Sequence, residues 1–200
     1  MQSAGRVFRI GIVQVSRVAT KPVKQNIFLV GLMGAGKSTV GRQLARRMKL
    51  KFYDSDHVIV EKTGVPISTI FDIEGEEGFR DRETQVLEEL SRYEGCIIAT
   101  GGGSLTRQQN CEIIKNSGCV IYLRTSAERL YSRIKHDQSR PLMQTENPLQ
   151  TLRDLLADRE PAYLEAADIV IRTGNQKVGV VLHRIEQAIK KERRNANANR

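Results

Sequence analysis

Gly31-Leu-Met-Gly-Ala-Gly-Lys-Ser38 matches every fixed position of the pattern GxxxxGK[ST]. The glycines let successive backbone N–H groups curl round a phosphate, and the helix that follows adds its partial positive charge. Lys37 then reaches the β/γ-phosphates and the Ser38 hydroxyl ligates Mg²⁺. A bland turn needs neither the lysine nor the hydroxyl, so these residues predict binding of a nucleoside triphosphate with magnesium. Asp54 and Asp56, spaced i and i+2, can enter one cleft from a strand end, one toward Mg²⁺ through water and one toward an acceptor hydroxyl. Asp56 could instead cap the helix that follows it. Gly101-Gly-Gly103 is the third unusual stretch, either a plain turn or a place where a ligand meets the backbone.

These stretches have to be positioned by something. Apolar runs over 26–30, 50–54, 96–100, 119–123 and 168–171 read as short strands, alternating with helical spacing over 39–48, 55–62, 67–91 (divided near Gly75), 107–117, 126–135, 148–166 and 177–193. Five such strands predict an α/β fold, a parallel sheet covered by helices on both faces. Ligands of such sheets gather beyond the strands' carboxyl ends, and the three stretches follow strands one, two and three of the five. The segment 136–147 is polar and aperiodic and reads as a loop.

Two hundred residues make one domain with a real core. No apolar run nears the roughly 20 residues of a membrane span, so neither membrane nor signal peptide is expected. The formal charge of +9 suggests nucleic acid, but its distribution does not. Residues 1–25 hold five Lys/Arg and no acid, and 190–200 hold five with one acid, which leaves 22 basic and 22 acidic residues between them. The body is neutral, so no nucleic-acid partner is expected. Residues 1–25 read as a basic, disordered extension, 26–193 as the domain and 194–200 as a low-complexity disordered tail. Cys96, Cys111 and Cys119 suit neither a disulfide framework nor a zinc site, and fit a reducing cytoplasm.

Together, Gly31 to Ser38, Asp54-Ser-Asp56, the 70–83 stretch with its G-E-x-x-F-R-x-x-E pattern, Gly101 to Gly103, Arg140-Pro-Leu142 and Arg159-Glu-Pro-Ala-Tyr163 resemble the shikimate kinase family, in the family's order, over roughly residues 25–190. The resemblance implies a P-loop, nucleoside-kinase-like three-layer α/β/α domain with a five-stranded parallel sheet and a short lid loop at about 136–147. It implies a cytoplasmic monomer that phosphorylates the 3-hydroxyl of shikimate with ATP and Mg²⁺. The phosphates fall to Gly34, Ala35, Gly36, Lys37, Ser38 and Thr39, the metal to Ser38 and, through water, Asp54. Asp56 is implied as base, with Lys37 and Arg140 as the other catalytic groups, Arg140 arriving on the lid. Arg80 and Arg159 are implied to take the carboxylate, Gly102 and Gly103 the hydroxyl side, and Arg133 to stack on adenine, the opposite wall falling in the 173–176 loop without a secure alignment.

Duller readings stand beside these roles. Arg80 lies four residues after Glu76 and three before Glu83, the spacing of a solvated helical ion pair. Arg159 has Glu160 beside it. The rival activities are a related kinase for another hydroxy acid such as gluconate, and a silent nucleotide-binding regulator.

Overall fold

The computed structural model describes residues 12–14, 26–135 and 145–198. Its strands are β1 (Ile12–Gln14), β2 (Asn26–Val30), β3 (Lys51–Asp54), β4 (Cys96–Ala99), β5 (Gly118–Arg124) and β6 (Ile169–Arg172). Its helices are α1 (Lys37–Met48), α2 (Ser55–Thr63), α3 (Ile67–Ser91), α4 (Gln108–Ser117), α5 (Ala127–Ile134), α6 (Pro148–Ala166) and α7 (Val178–Ala198).

The sheet order is β1-β6-β5-β2-β4-β3. The five strands β3, β4, β2, β5 and β6 are parallel, as expected. Every residue of β2 is buried, as are five of the seven in β5, because a parallel strand covered on both faces has no solvent side. The amphipathic α1 turns Val40, Leu44 and Ala45 inward, one turn apart. Asn147 caps α6 by accepting from the Gln150 N–H at 3.1 Å, with Pro148 at the first helical position.

The sheet has one strand more than expected. The segment 1–25, read as an extension outside the fold, contributes β1, which pairs antiparallel with β6 through Ile12↔Ile171, Val13↔Val170 and Gln14↔Ile169. Its apolar residues are scattered among lysines and arginines, which masks a strand of three residues from any pattern test. The second correction is at the other end. The tail expected to be disordered from 194 is helical to Ala198, since alanine favours continuation of a helix already packed through Val181, Leu182, Ile185 and Ile189.

The division of the 67–91 helix falls where expected. Gly75 has φ 70° and ψ −172°, breaking α3 in two, and Arg82 spans the break with two bonds to Glu74, at 2.7 and 2.6 Å. No helix among the described residues is long and apolar enough to cross a membrane. The expectation for Arg140, and residues 136–144 of the lid expected at about 136–147, lie outside the described residues.

Candidate active site

The loop between β2 and α1 is built from glycines that other residues could not replace cheaply. Gly31, Gly34 and Gly36 have φ of 138°, 77° and 93°, conformations that side chains rarely adopt. Among the described residues no side-chain hydrogen bond caps α1, whose N-terminus follows the loop directly, the place where a helix favours an anion. Lys37 Nζ donates to the carbonyls of Gly31 at 2.7 Å and Leu32 at 3.1 Å, which arches the lysine back over the loop. Gly34, Ala35, Gly36, Lys37, Ser38 and Thr39 thus form one continuous rim.

Asp54 ends β3, at the far edge of the parallel strands, yet its Oδ2 accepts from Ser38 Oγ at 2.6 Å. A hydroxyl and a carboxylate in contact at the mouth of a phosphate-binding loop fit Mg²⁺, which takes one or two protein oxygens and completes its shell with phosphate and water. No group of three or more His, Cys, Asp or Glu that could hold a metal ion occurs among the described residues.

Helix α2 starts at Ser55 with Asp54 in the N-cap place, so Asp56 lies inside the first turn. Capping therefore does not account for Asp56. Its carboxylate is brought instead to Gly101: a Cβ there would stand 2.7 Å from Asp56 Oδ1 and overlap Glu83 Oε1. Ser55 Oγ accepts the Gly101 N–H at 3.0 Å, fixing β3 and β4 to one another at the site. None of Gly101, Gly102 and Gly103 has a positive φ, so the triple glycine serves close approach rather than backbone freedom. A Cβ on Gly102 would meet the Met33 nitrogen at 3.2 Å, and one on Gly103 the Arg80 guanidinium at 2.5 and 2.6 Å. The plain-turn reading does not explain such crowding on three successive residues.

Gly101→Ala is accordingly expected to lower kcat at least tenfold and cost about 1–3 kcal/mol of stability, because the nearest colliding atom belongs to the wholly buried Glu83, which Arg80 and Ser104 hold in place. Turnover and thermal unfolding check this; an alanine variant with wild-type values for both would contradict the crowding.

Arg80 is not a solvated pair. Its side chain is 9% exposed and that of Glu83 is wholly buried, with Nη1 donating to Glu83 Oε2 at 2.8 Å. Nη2 donates to the exposed Glu76 at 2.9 Å. Burial works to lower the Arg80 pKa, but the Glu83 and Glu76 carboxylates outweigh it and the net direction is up. Glu83 also accepts from Ser104 Oγ at 2.6 Å. Glu83 has no role of its own among the expected site residues. The available signal was an acid on the apolar stripe Phe79, Glu83, Val86, Leu87, Leu90 of α3.

Arg159 does not pair with Glu160 either. It is buried, Nη1 donates to the Gly102 carbonyl at 3.3 Å, and Nε has no acceptor among the described residues. Glu160 turns the other way, to Arg124 and Tyr122. Arg80 and Arg159 therefore flank the triple glycine, which gives the site two arginines beside Asp56. Phe71 stacks on Phe79 with ring centroids 4.7 Å apart, and Phe71 remains partly exposed at the same end of α3.

On the other side of the loop, Arg133 donates to the carbonyls of Gly34 at 3.1 Å, Ala35 at 3.5 Å and Gly174 at 2.9 Å. Arg129 donates to Asn175 Oδ1. The 173–176 segment, which sequence alone left unaligned, thus stands beside Arg133 and the phosphate loop. Its signal was weak: a Gly-Asn pair after a strand fits any turn.

A glycine-rich loop of the phosphate-binding pattern after a central strand, a Ser38–Asp54 pair and an acid beside two buried arginines define a P-loop phosphotransferase of the small-molecule class. The family model for shikimate kinase matches residues 33–190. The shikimate kinase of Ralstonia nicotianae is 52% identical over 167 residues, 82% of this chain and 88% of that protein. The shikimate kinase of Vibrio parahaemolyticus is 50% identical over 162 residues, 81% of this chain and 94% of that protein. A shikimate kinase from Acinetobacter baumannii, solved in complex with shikimate, superimposes with a TM-score of 0.83 at 48% identity, over 85% of this chain and 95% of that one. This chain belongs to the shikimate kinase family.

Proposed function

We propose that this protein transfers the γ-phosphoryl group of ATP to the 3-hydroxyl of shikimate, giving shikimate 3-phosphate and ADP. The observation that carries the reading is the meeting of Asp56, Arg80 and Arg159 around Gly101 to Gly103, against the backbone of the phosphate loop. Relatives of about 50% identity that bear this activity support it.

Shikimate offers a carboxylate at one end and hydroxyls at the other. Arg80 and Arg159 take the carboxylate, because a planar guanidinium donates two parallel hydrogen bonds to it. The exposed Glu76 is the Arg80 partner that an incoming carboxylate displaces; the buried Glu83 stays and holds the guanidinium. The N–H groups of Gly102 and Gly103 receive the hydroxyl side. Asp56 accepts the 3-hydroxyl proton as the oxygen bonds to phosphorus and the bond to the β–γ bridging oxygen breaks, its electron pair leaving with ADP. Lys37 moves from its own loop carbonyls to the β/γ-phosphates. Ser38 and, through water, Asp54 would hold Mg²⁺, which when bound neutralises charge on the phosphates. Arg133 and the 173–176 segment flank the base. Arg140 enters only through the family resemblance. The protein acts as a cytoplasmic monomer on two small molecules, with neither nucleic acid nor membrane as partner.

The position phosphorylated tests this reading. Phosphorus–proton correlation spectra of the product should place the phosphate on the 3-oxygen; a phosphate on another hydroxyl would contradict the role given to Asp56.

A further inference from the structure

Arg159-Glu-Pro-Ala-Tyr163 supplies the acid-binding site with one arginine and leaves Glu160 and Tyr163 unexplained. Both are firmly held. Glu160 accepts from Arg124 Nε at 2.7 Å, Arg124 Nη2 at 3.2 Å and the Tyr122 hydroxyl at 2.9 Å, which fastens this turn of α6 to the end of β5. Tyr163, one turn further along, is 1% exposed, lies 5.1 Å from the Tyr122 ring between centroids, and donates its hydroxyl to the Gly102 carbonyl. Burial pushes the Tyr163 phenol well above its usual pKa, so the hydroxyl keeps its proton as a donor.

The same carbonyl receives Arg159 Nη1, at the long distance of 3.3 Å, while Arg159 Nε is buried without an acceptor. One oxygen therefore has two donors of unequal character. Tyr163 has spent its only side-chain donor there, whereas Arg159 has five, and its guanidinium also bonds the Tyr163 hydroxyl. The peptide joining Gly102 to Gly103 is trans, so holding its carbonyl toward α6 turns the Gly103 N–H to the opposite side.

We propose that Tyr163 is a positioning residue for the acid: it holds the Gly102 carbonyl, and with it the Gly103 N–H, when Arg159 turns its guanidinium to the substrate carboxylate. The role rests on the acid-binding reading above. Without the Tyr163 hydroxyl, Arg159 is left as donor to that buried carbonyl, and the carbonyl and the substrate compete for one guanidinium. The consequence falls on the acid and spares the nucleotide.

Tyr163→Phe tests this, since it keeps the ring, its volume and its contact with Tyr122. The KM for shikimate is expected to rise about tenfold, the effect of losing one buried hydrogen bond, with kcat within about threefold and the KM for ATP within about twofold. Thermal unfolding is recorded alongside. A rise confined to the acid supports the role whatever the change in Tm. An unchanged shikimate KM, or equal rises for acid and ATP, overturns it, because lost packing would loosen both sites or neither. Wild-type protein that leaves shikimate unphosphorylated removes the activity reading and this role with it, whereas an active wild type with an indifferent Tyr163→Phe removes only the role.

Discussion

Asp56→Asn is expected to lower kcat by about 10²–10⁴ while leaving ATP affinity within about twofold. The substitution keeps shape and removes the basic oxygen. Asp56 stands in the first turn of α2 with its carboxylate against Gly101, whereas the phosphate-binding groups come from the β2–α1 loop and from Ser38 with Asp54. A change at Asp56 should therefore leave nucleotide binding alone. Asp54, two residues earlier and bonded to Ser38, should behave in the opposite way, so the pair separates metal support from proton acceptance. Single-turnover kinetics with ATP-binding calorimetry reads both quantities. A kcat within about fivefold of wild type would leave Asp56 without its role, because even a loose transition state has to lose the acceptor proton somewhere.

Arg80→Lys is the second large effect, and magnitude decides between its two readings. An exposed helical ion pair is worth about 0.3–0.5 kcal/mol, and replacing arginine by lysine there would leave the acid KM untouched. The pair seen here has a buried guanidinium on a wholly buried Glu83, which Ser104 also binds. Charge-assisted hydrogen bonds of this kind contribute about 1.5–3 kcal/mol each, and lysine offers a point charge where a fork is needed. The expected result is a rise of about 10- to 100-fold in the KM for shikimate, with a stability loss of about 1–3 kcal/mol as Glu83 loses part of its compensation. Initial-rate kinetics and denaturant unfolding check the two together. An unchanged KM would take Arg80 out of the site.

What the sequence made legible, and what it did not, follows from how local each signal is. The phosphate loop and the Asp54-Ser-Asp56 step are contiguous, and their residue types have few other uses, so their chemistry could be read directly. The parallel strands were legible because continuous apolar runs such as 26–30 and 119–123 have no solvent face to interrupt them. Arg80 and Arg159 could only be weighed, since the same spacing serves a surface ion pair; burial against Glu83 and the Gly102 carbonyl is a tertiary fact. Glu83 and Tyr163 went unassigned for the same reason, their partners Ser104 and Gly102 lying 21 and 61 residues away. The β1 strand was missed because three residues in a basic segment carry too little pattern, and its pairing to β6 is decided across 157 residues of chain.

The measurement that bears most directly on the central claim is ADP release from ATP and Mg²⁺, followed by a coupled assay with no acceptor, shikimate, quinate or gluconate. The chain contains no tryptophan, so turnover is a better observable than a binding signal. The account predicts strong release with shikimate and little with the other acids or with none. Release with gluconate and not with shikimate would contradict the acceptor assignment, and silence with every acid from protein that binds ATP would contradict the catalytic one.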